Sequence, residues 1–402
     1  NGDAGEGTAM AMRLVVKVAE VMGATDLLDI SSAHIDSCLY HGEVGLDFAR
    51  RLRDGGARVK VRSTSNVSAI DLLHPDLVNG SEELLRGAAE MMQLYTDLGC
   101  EPTWSCAPYQ GLHRPEFGAQ VAWAESNAIV FANSVLGART NRYGDFIDIA
   151  AAVTGRAPRA GLHLTEHRRG QIVYRLTDVP SRALELGLLF PVLGQLIGST
   201  ADLLIPVVDG IGQATEDDLK ALGAAAASAG SVALIHVVGV TPEAGSMSEA
   251  LHGQPPERTV EVTSELLRQT AMRLTTSSHD QLGAVSLGTP HYSIAQLTAL
   301  AEAMGGRTAV VPTYVNTGRE MLERTPASVL DALERSGVQV VADTCAYITP
   351  VIEKGPVMTD SGKAAYYLPG NLGVETVFGS FSECVESAVV GRVTRDAEAW
   401  NV

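Results

Sequence analysis

The sequence has no paired cysteines, no surplus of basic charge and no long uninterrupted apolar run. Its five cysteines are an odd, scattered set without a CxxC, which argues against a disulfide framework or a zinc ribbon and fits a reducing cytoplasm. Lysine and arginine number 30 against 47 acids, for a net charge of −17. So dilute a basic field does not suit nucleic acid or an anionic membrane, whose phosphates need a dense one. An anionic substrate would need a local basic pocket. The most apolar stretch, residues 186–207, is broken by Pro191, Gln195 and Asp202 before it reaches the ~18 residues of a membrane span. It reads as a buried helix followed by a strand. The chain does not open on Met, and Gly2, Gly5 and Gly7 leave little room for a signal peptide, so it reads as a trimmed or subunit-length chain.

What is present is an ordinary globular composition: 402 residues, 46% hydrophobic and 19% charged, enough for two or three lobes. The first half reads as helices joined by polar, Gly-containing loops. Residues 8–22 carry apolar side chains at helical spacing with Gly23 as a stop, and residues 81–98 repeat the pattern with Ser81 as N-cap and Gly99 as terminator. From about residue 230 the grammar becomes strand, loop, helix. Residues 232–240, 283–287, 308–315 and 338–342 are short β-branched runs that suit strands buried on both faces. Helices are expected at 293–304 and 319–336. The pattern predicts an α/β fold with parallel-sheet layers, divided into a helix-rich lobe at 1–190 and α/β lobes at 191–402. Three strands run into polar loops: Gly288-Thr289-Pro290-His291, Asn316-Thr317-Gly318-Arg319 and Asp343-Thr344-Cys345. Ligands of open α/β sheets bind beyond the carboxyl ends of strands, so these loops point to one cleft.

Several motifs carry chemistry. Cys106, Cys345 and Cys384 each sit in a turn or at an element end, whereas Cys38 and Cys100 lie in hydrophobic surroundings. Any of them is either a soft-metal ligand or a small buried hydrophobe. Residues 123–142, WAESNAIVFANSVLGARTNR, form the densest polar segment; Asn and Ser are poor helix-interior residues, so the segment reads as a binding element or as a capped helix with surface ion pairs. Within it, Arg139 or Arg142 suits a bidentate grip on a carboxylate. Residues 61–67, VRSTSNV, offer hydroxyl donors for an anion or form a plain turn. Lys363, one of five lysines, lies in TDSGK, which lacks the upstream Gly of a P-loop and fits an anion grip better. His34 and His291 stand beside strand ends or Gly turns as acid–base groups or ligands. Two further motifs fail on context. The glycines at 2, 5 and 7 follow no strand, as a dinucleotide fingerprint requires, and His163/His167 lack the HExxH order of a zinc helix.

Together, AHIDSCLYHG (33–42), STSNV (63–67), SCAPYQ (105–110), the 123–142 segment, GTPHYS (288–293), DTCAYITP (343–350) and SGKAAYYLPG (361–370) closely resemble aconitase X, the divergent branch of the aconitase superfamily. The resemblance covers essentially the whole chain, from its GDAGEG start to the last helix with Cys384. It implies a multi-lobed hydro-lyase fold and an iron centre, iron–sulfur or mononuclear, held by Cys106, Cys345 and Cys384, with Cys38 and Cys100 as bystanders. It also implies dehydration of a small hydroxy acid, either cis-3-hydroxy-L-proline or mevalonate 5-phosphate. Thr289, where archaeal members tend to carry Cys before Pro-His, and the SCAPYQ segment favour the proline branch. Members of the superfamily close their cleft with a small swivelling domain that supplies a catalytic Ser. There is no room for it in these residues, so a separate subunit or a fused segment is expected.

On this reading iron polarises the 3-hydroxyl. Arg139 and Lys363, with Ser63, Thr64, Asn66, Asn127 and His291, bind the substrate and stabilise its developing charge. Glu125, Lys363 and His34 are the expected catalytic groups, with Glu125 the candidate base in this chain beside the swivelling domain's Ser. The expected setting is cytoplasmic, without nucleic acid or membrane. A phosphomevalonate enzyme and a non-catalytic binding subunit are the rivals.

Overall fold

Three parallel sheets organise the molecule. The computed structural model describes residues 4–401 apart from Leu112, so Gly2 and the start of GDAGEG lie outside the described residues. The first sheet has strand order Arg62–Ser65, Ser32–Ile35, Val121–Trp123, with His34 level with Thr64 and Trp123. Helices Glu6–Val21, Glu43–Asp54, Glu82–Asp97 and Ile147–Thr154 belong to the same lobe. Ser81 caps the third of these, its hydroxyl accepting from the Leu84 N–H at 3.2 Å, and Gly99 ends it at φ +99°. Its buried face carries Met91, Leu94 and Tyr95, each contributing about 1.5–3 kcal/mol of apolar burial. A Cβ on Gly7 would meet the Leu52 carbonyl oxygen at 2.4 Å. That glycine serves close helix packing, not phosphate binding.

The second sheet has order His236–Val237, Pro206–Asp209, Ile172–Leu176, Arg258–Val262, all parallel. The apolar stretch forms helix Leu189–Thr200 followed by strand Pro206–Asp209, as the sequence predicts. This helix packs on Glu216–Ala229 through small residues: a Cβ on Gly194 would lie 2.3 Å from the Leu222 carbonyl oxygen. The expected division near residue 190 runs through this sheet, because Ile172–Leu176 pairs with Pro206–Asp209. Among the described residues no helix is long and apolar enough to cross a membrane.

The third sheet has five parallel strands in the order Val338–Val341, Thr313–Thr317, Ala284–Tyr292, Val357–Thr359, Thr376–Phe378. Its central strand shifts register between Leu287 and Tyr292, and this irregular stretch carries His291. Helix Ile294–Met304 begins on a capping box of Ser293 and Gln296. The single helix expected at 319–336 is two, Arg319–Arg324 and Ala327–Arg335. Pro326 separates them because the residue before a proline is driven out of helical conformation, and Thr325 is extended. The strands of the first half are short, three to five residues, and the sequence reading passed over them; Ser32–Ile35 and Arg62–Ser65 are built largely of Ser, Thr, His and Ala.

The first and third sheets are tied together at Asp343. This residue, at φ +59°, pairs with Arg319, takes the Leu72 N–H at 3.0 Å on its side chain and the Ser68 N–H at 2.6 Å on its carbonyl. The loop leading to Cys345 is thereby pinned against the first lobe.

Candidate active site

The carboxyl ends of the third sheet meet the loop that bears Cys106. Asn127 fixes that loop: its amide donates to the Cys106 carbonyl at 2.7 Å, and its oxygen accepts the Tyr109 hydroxyl at 2.8 Å. The Cys106 and Cys345 sulfurs are 4.0 Å apart, and the His291 N–H donates to the Cys106 sulfur at 3.3 Å. The His291 ring is oriented by Ser105 Oγ, 3.1 Å from Nδ1, and by the Thr344 carbonyl, 3.0 Å from Nε2. Donor atoms of Cys106, His291 and Cys345 all lie within 4.8 Å of one another, and all three residues are buried.

Burial works against a Cys106 thiolate, but the hydrogen bond from Cys345 and the nearby His291 and Lys363 outweigh it and hold this thiol low. Burial and the proximity of Cys106 push Cys345 up. One sulfur is therefore ready to ionise and the other follows once a cation arrives. Two soft sulfurs and an imidazole, buried and convergent, fit a transition metal. Cys384, expected as the third ligand, is not in this group. It sits on helix Phe381–Val390 within an aliphatic cluster of Val285, Leu287, Met358 and Val385, where burial pushes its thiol up.

A cavity of about 580 Å³ is lined by Asp36, Asn66, Glu125, Tyr143, Tyr347 and Lys363, among others. Glu125 caps helix Ser126–Ser134 at φ +70°, accepting the Ala128 N–H at 2.8 Å. Its other oxygen takes a short bond from the Lys363 ammonium, which also lies 3.4 Å from Ser126 Oγ and 5.6 Å from the Tyr347 ring centroid. Burial alone would raise Glu125, yet Lys363 and the helix N–H groups bring it below the usual carboxylate range. Burial opposes the Lys363 charge, but Glu125 and Tyr347 drive its ammonium up. The pair is ionised, and both members act electrostatically on Cys106 and Cys345.

The other expected residues divide. Asn66 lines the cavity and donates to Asp36. Asn127 positions the Cys106 loop instead of facing the cavity. His291 is a member of the sulfur–imidazole group and does not line the cavity, where a substrate contact was expected. Ser63 turns back to the Val61 carbonyl at 2.9 Å. His34 sits outside the cavity lining in a buried row, with Nδ1 2.9 Å from Thr64 Oγ1, which is itself 2.8 Å from His113 Nδ1. Burial, then His113, pushes His34 down to about 3, so it stays neutral. Arg139 reaches Thr165 at 2.9 Å and Glu243 at 3.4 Å, away from the cavity; Arg142 is the arginine in its wall. Arg142 donates to the carbonyls of Gly230, Ala227 and Val232 at 2.9, 3.0 and 3.2 Å.

Sequence reasoning missed two groups. Asp36 lies in the cavity wall just past the end of strand Ser32–Ile35; the strand-end rule that found His291 applies to it equally. Lys220, buried on helix Glu216–Ala229, donates to Gln110 at 2.8 Å, Gln296 at 2.6 Å and the His291 carbonyl at 3.2 Å. Apart from Asp217, three residues away at 2.8 Å, its partners are 70 or more residues distant, so the string around it gave no sign of the site.

Family models of the aconitase X first, second and third domains match residues 1–166, 170–272 and 282–390. The chain belongs to the aconitase X family. Among aconitase X relatives, it is 40% identical to the cis-3-hydroxy-L-proline dehydratase of Pseudomonas aeruginosa, over 99% of this chain and 70% of that protein. It is 34% identical to the phosphomevalonate dehydratase large subunit of Methanosarcina mazei, over 98% of this chain and 95% of that subunit. The crystal structure of Thermococcus kodakaraensis aconitase X in its holo-form superposes with a TM-score of 0.86 at 30% identity, covering 96% of this chain and 97% of that one. In aconitase X terms, the first domain supplies Cys106, Asp36, Asn66 and Glu125, the third supplies His291, Cys345 and Lys363, and Lys220 reaches in from the second.

Proposed function

We propose that this chain is the large catalytic portion of a hydro-lyase that converts cis-3-hydroxy-L-proline to Δ1-pyrroline-2-carboxylate. The observation that carries the reading is the ionised Glu125–Lys363 pair, which faces the cavity and acts on the Cys106–His291–Cys345 group behind it. Identity of 40% to a dehydratase of this substrate supports the choice. Cys106, His291 and Cys345 would hold iron, which when bound supplies Lewis-acid assistance to the departing hydroxyl. Cys384 serves packing.

The chain's own groups do the remaining work. The substrate loses the proton on C2, and that bonding pair forms the C2=C3 double bond as the C3–O bond breaks. The hydroxide leaves as water after taking up a proton, and the enamine then tautomerises to the imine. Glu125, kept ionised by Lys363, is the base within this chain, beside a Ser expected from a small swivelling portion. Lys363 stabilises the charge that builds on the substrate carboxylate. Tyr143 and Tyr347 in the cavity wall limit water around the reacting carbons. A complementary small portion completes the site, and the five free thiols suit a reducing cytoplasm.

The test is a paired assay of the iron-loaded enzyme with its small portion supplied. Turnover of cis-3-hydroxy-L-proline without turnover of mevalonate 5-phosphate is expected; the reverse result overturns the reading. The cavity disfavours the phosphorylated substrate, because Arg142 is already engaged by three backbone carbonyls and Asp36 adds a carboxyl to the wall.

A further inference from the structure

Asp36 stands in the cavity wall, only partly exposed, and takes a short hydrogen bond from the Asn66 amide. That bond leaves Asn66 Oδ1 as a buried acceptor with no hydrogen-bond partner among the described residues, although Asn66 is only 1% exposed and lines the cavity. The neighbouring Asp148 differs. It accepts the Asp36 and Ser37 N–H groups at 2.7 and 2.9 Å, the Ser37 hydroxyl at 2.8 Å and the Ile149 N–H at 2.6 Å, so its oxygens are satisfied by the protein. Asp36 and Asn66 thus offer acceptors in a wall whose cations are engaged elsewhere, Lys363 by Glu125 and Arg142 by three backbone carbonyls. Asp145, Glu125 and Asp148 all add negative charge around Asp36, with His41 acting on Asp145. Burial first, then these carboxylates, push the Asp36 carboxyl up to about 8, the signature of an acid that lacks its counter-ion.

We propose that Asp36 and Asn66 form an ammonium subsite, in which the Asp36 carboxylate and Asn66 Oδ1 accept the two N–H bonds of a cyclic secondary ammonium. The inference rests on the function proposed above and adds the group that selects the amino acid. Two acceptors match the two hydrogens of a ring ammonium, and a carboxylate opposes a phosphate. Metal binding is a poor alternative, since among the described residues only Cys106, His291 and Cys345 bring three ligand atoms together. Glu125 acts electrostatically on both Asp36 and Cys106. A substrate whose amine rests on Asp36 therefore lies in the same cavity as Glu125, the candidate base.

The experiment uses the iron-loaded enzyme with its small portion and compares two ligands of one shape. These are cis-3-hydroxy-L-proline, read as KM, and its ring-oxygen analogue, 3-hydroxytetrahydrofuran-2-carboxylate of the same configuration, read as Ki against it. The wild type is expected to prefer the amine by about tenfold or more, as loss of a charged hydrogen bond implies. Asp36→Asn is expected to raise the KM for the amine about 10- to 100-fold while leaving the analogue's Ki within about twofold. Equal affinity of the wild type for both ligands, a result that needs no variant, overturns the subsite, as does an equal shift of both constants in Asp36→Asn. Turnover of mevalonate 5-phosphate in place of hydroxyproline would instead overturn the proposed function.

Discussion

Cys345 and Cys384 are both fully buried thiols of the third domain, and both are pushed to high pKa by desolvation. Their surroundings differ. Cys345 follows strand Val338–Val341 into the cleft and meets a second sulfur and an imidazole, whereas Cys384 lies along a helix among valines, leucines and a methionine. Burial does not distinguish a ligand from a packing residue. Convergence sets these two thiols apart, because beyond the strand ends the Cys106 sulfur and the His291 imidazole meet Cys345 and nothing of the kind meets Cys384 among the described residues.

Replacing His291 by Ala should give the largest effect: loss of bound metal together with a fall in turnover of about 10³-fold or more, checked by iron analysis and rate measurement. Lys363→Met comes next. It leaves Glu125 buried without its cation, and removing one partner of such a pair costs about 3–5 kcal/mol, so denaturant melts should show the loss and activity should fall at least ~100-fold. Asp36→Asn should act on the pH dependence of stability in the ligand-free protein. The folded Asp36 carboxyl lies near 8, above its unfolded value, so its contribution is fully present at acid pH and is lost as pH rises towards 8. The variant removes that decline. Its melting temperature should exceed that of the wild type at pH 8 by a few degrees, with a smaller difference at pH 5. Cys384→Ala should give the smallest effect, about 1–2 kcal/mol of stability from a small cavity, with metal content and KM unchanged.

The same contrast explains what could be read from the sequence. Helices such as Glu6–Val21, Glu82–Asp97 and Ile294–Met304 were legible because apolar periodicity, caps and terminating glycines are local signals. Strands Ser32–Ile35 and Arg62–Ser65 were not, because four residues with a single β-branched side chain each carry too short a pattern to read until the sheet buries them. In the candidate site, turns and element ends mark Cys106 and Cys345 and polar density or Gly-containing loops mark Glu125, Lys363 and Asn66; the fold puts the first two beside His291 and the other three in the cavity wall. Arg139 and Arg142 looked equivalent in a string three residues apart, and only the fold decides which faces the cavity. Asp36 escaped notice because an Asp after a strand is common, and its distinguishing features, the unpartnered Asn66 amide oxygen and the cavity wall of Glu125, Tyr143, Tyr347 and Lys363, come from residues 30 or more positions away.

Iron quantitation on anaerobically purified Cys106→Ala and Cys384→Ala, alongside turnover of cis-3-hydroxy-L-proline with the small portion supplied, tests the central claim most directly. The account predicts that Cys106→Ala loses both iron and turnover and that Cys384→Ala keeps both. Iron retained by Cys106→Ala but lost by Cys384→Ala, or full turnover without iron, would contradict it.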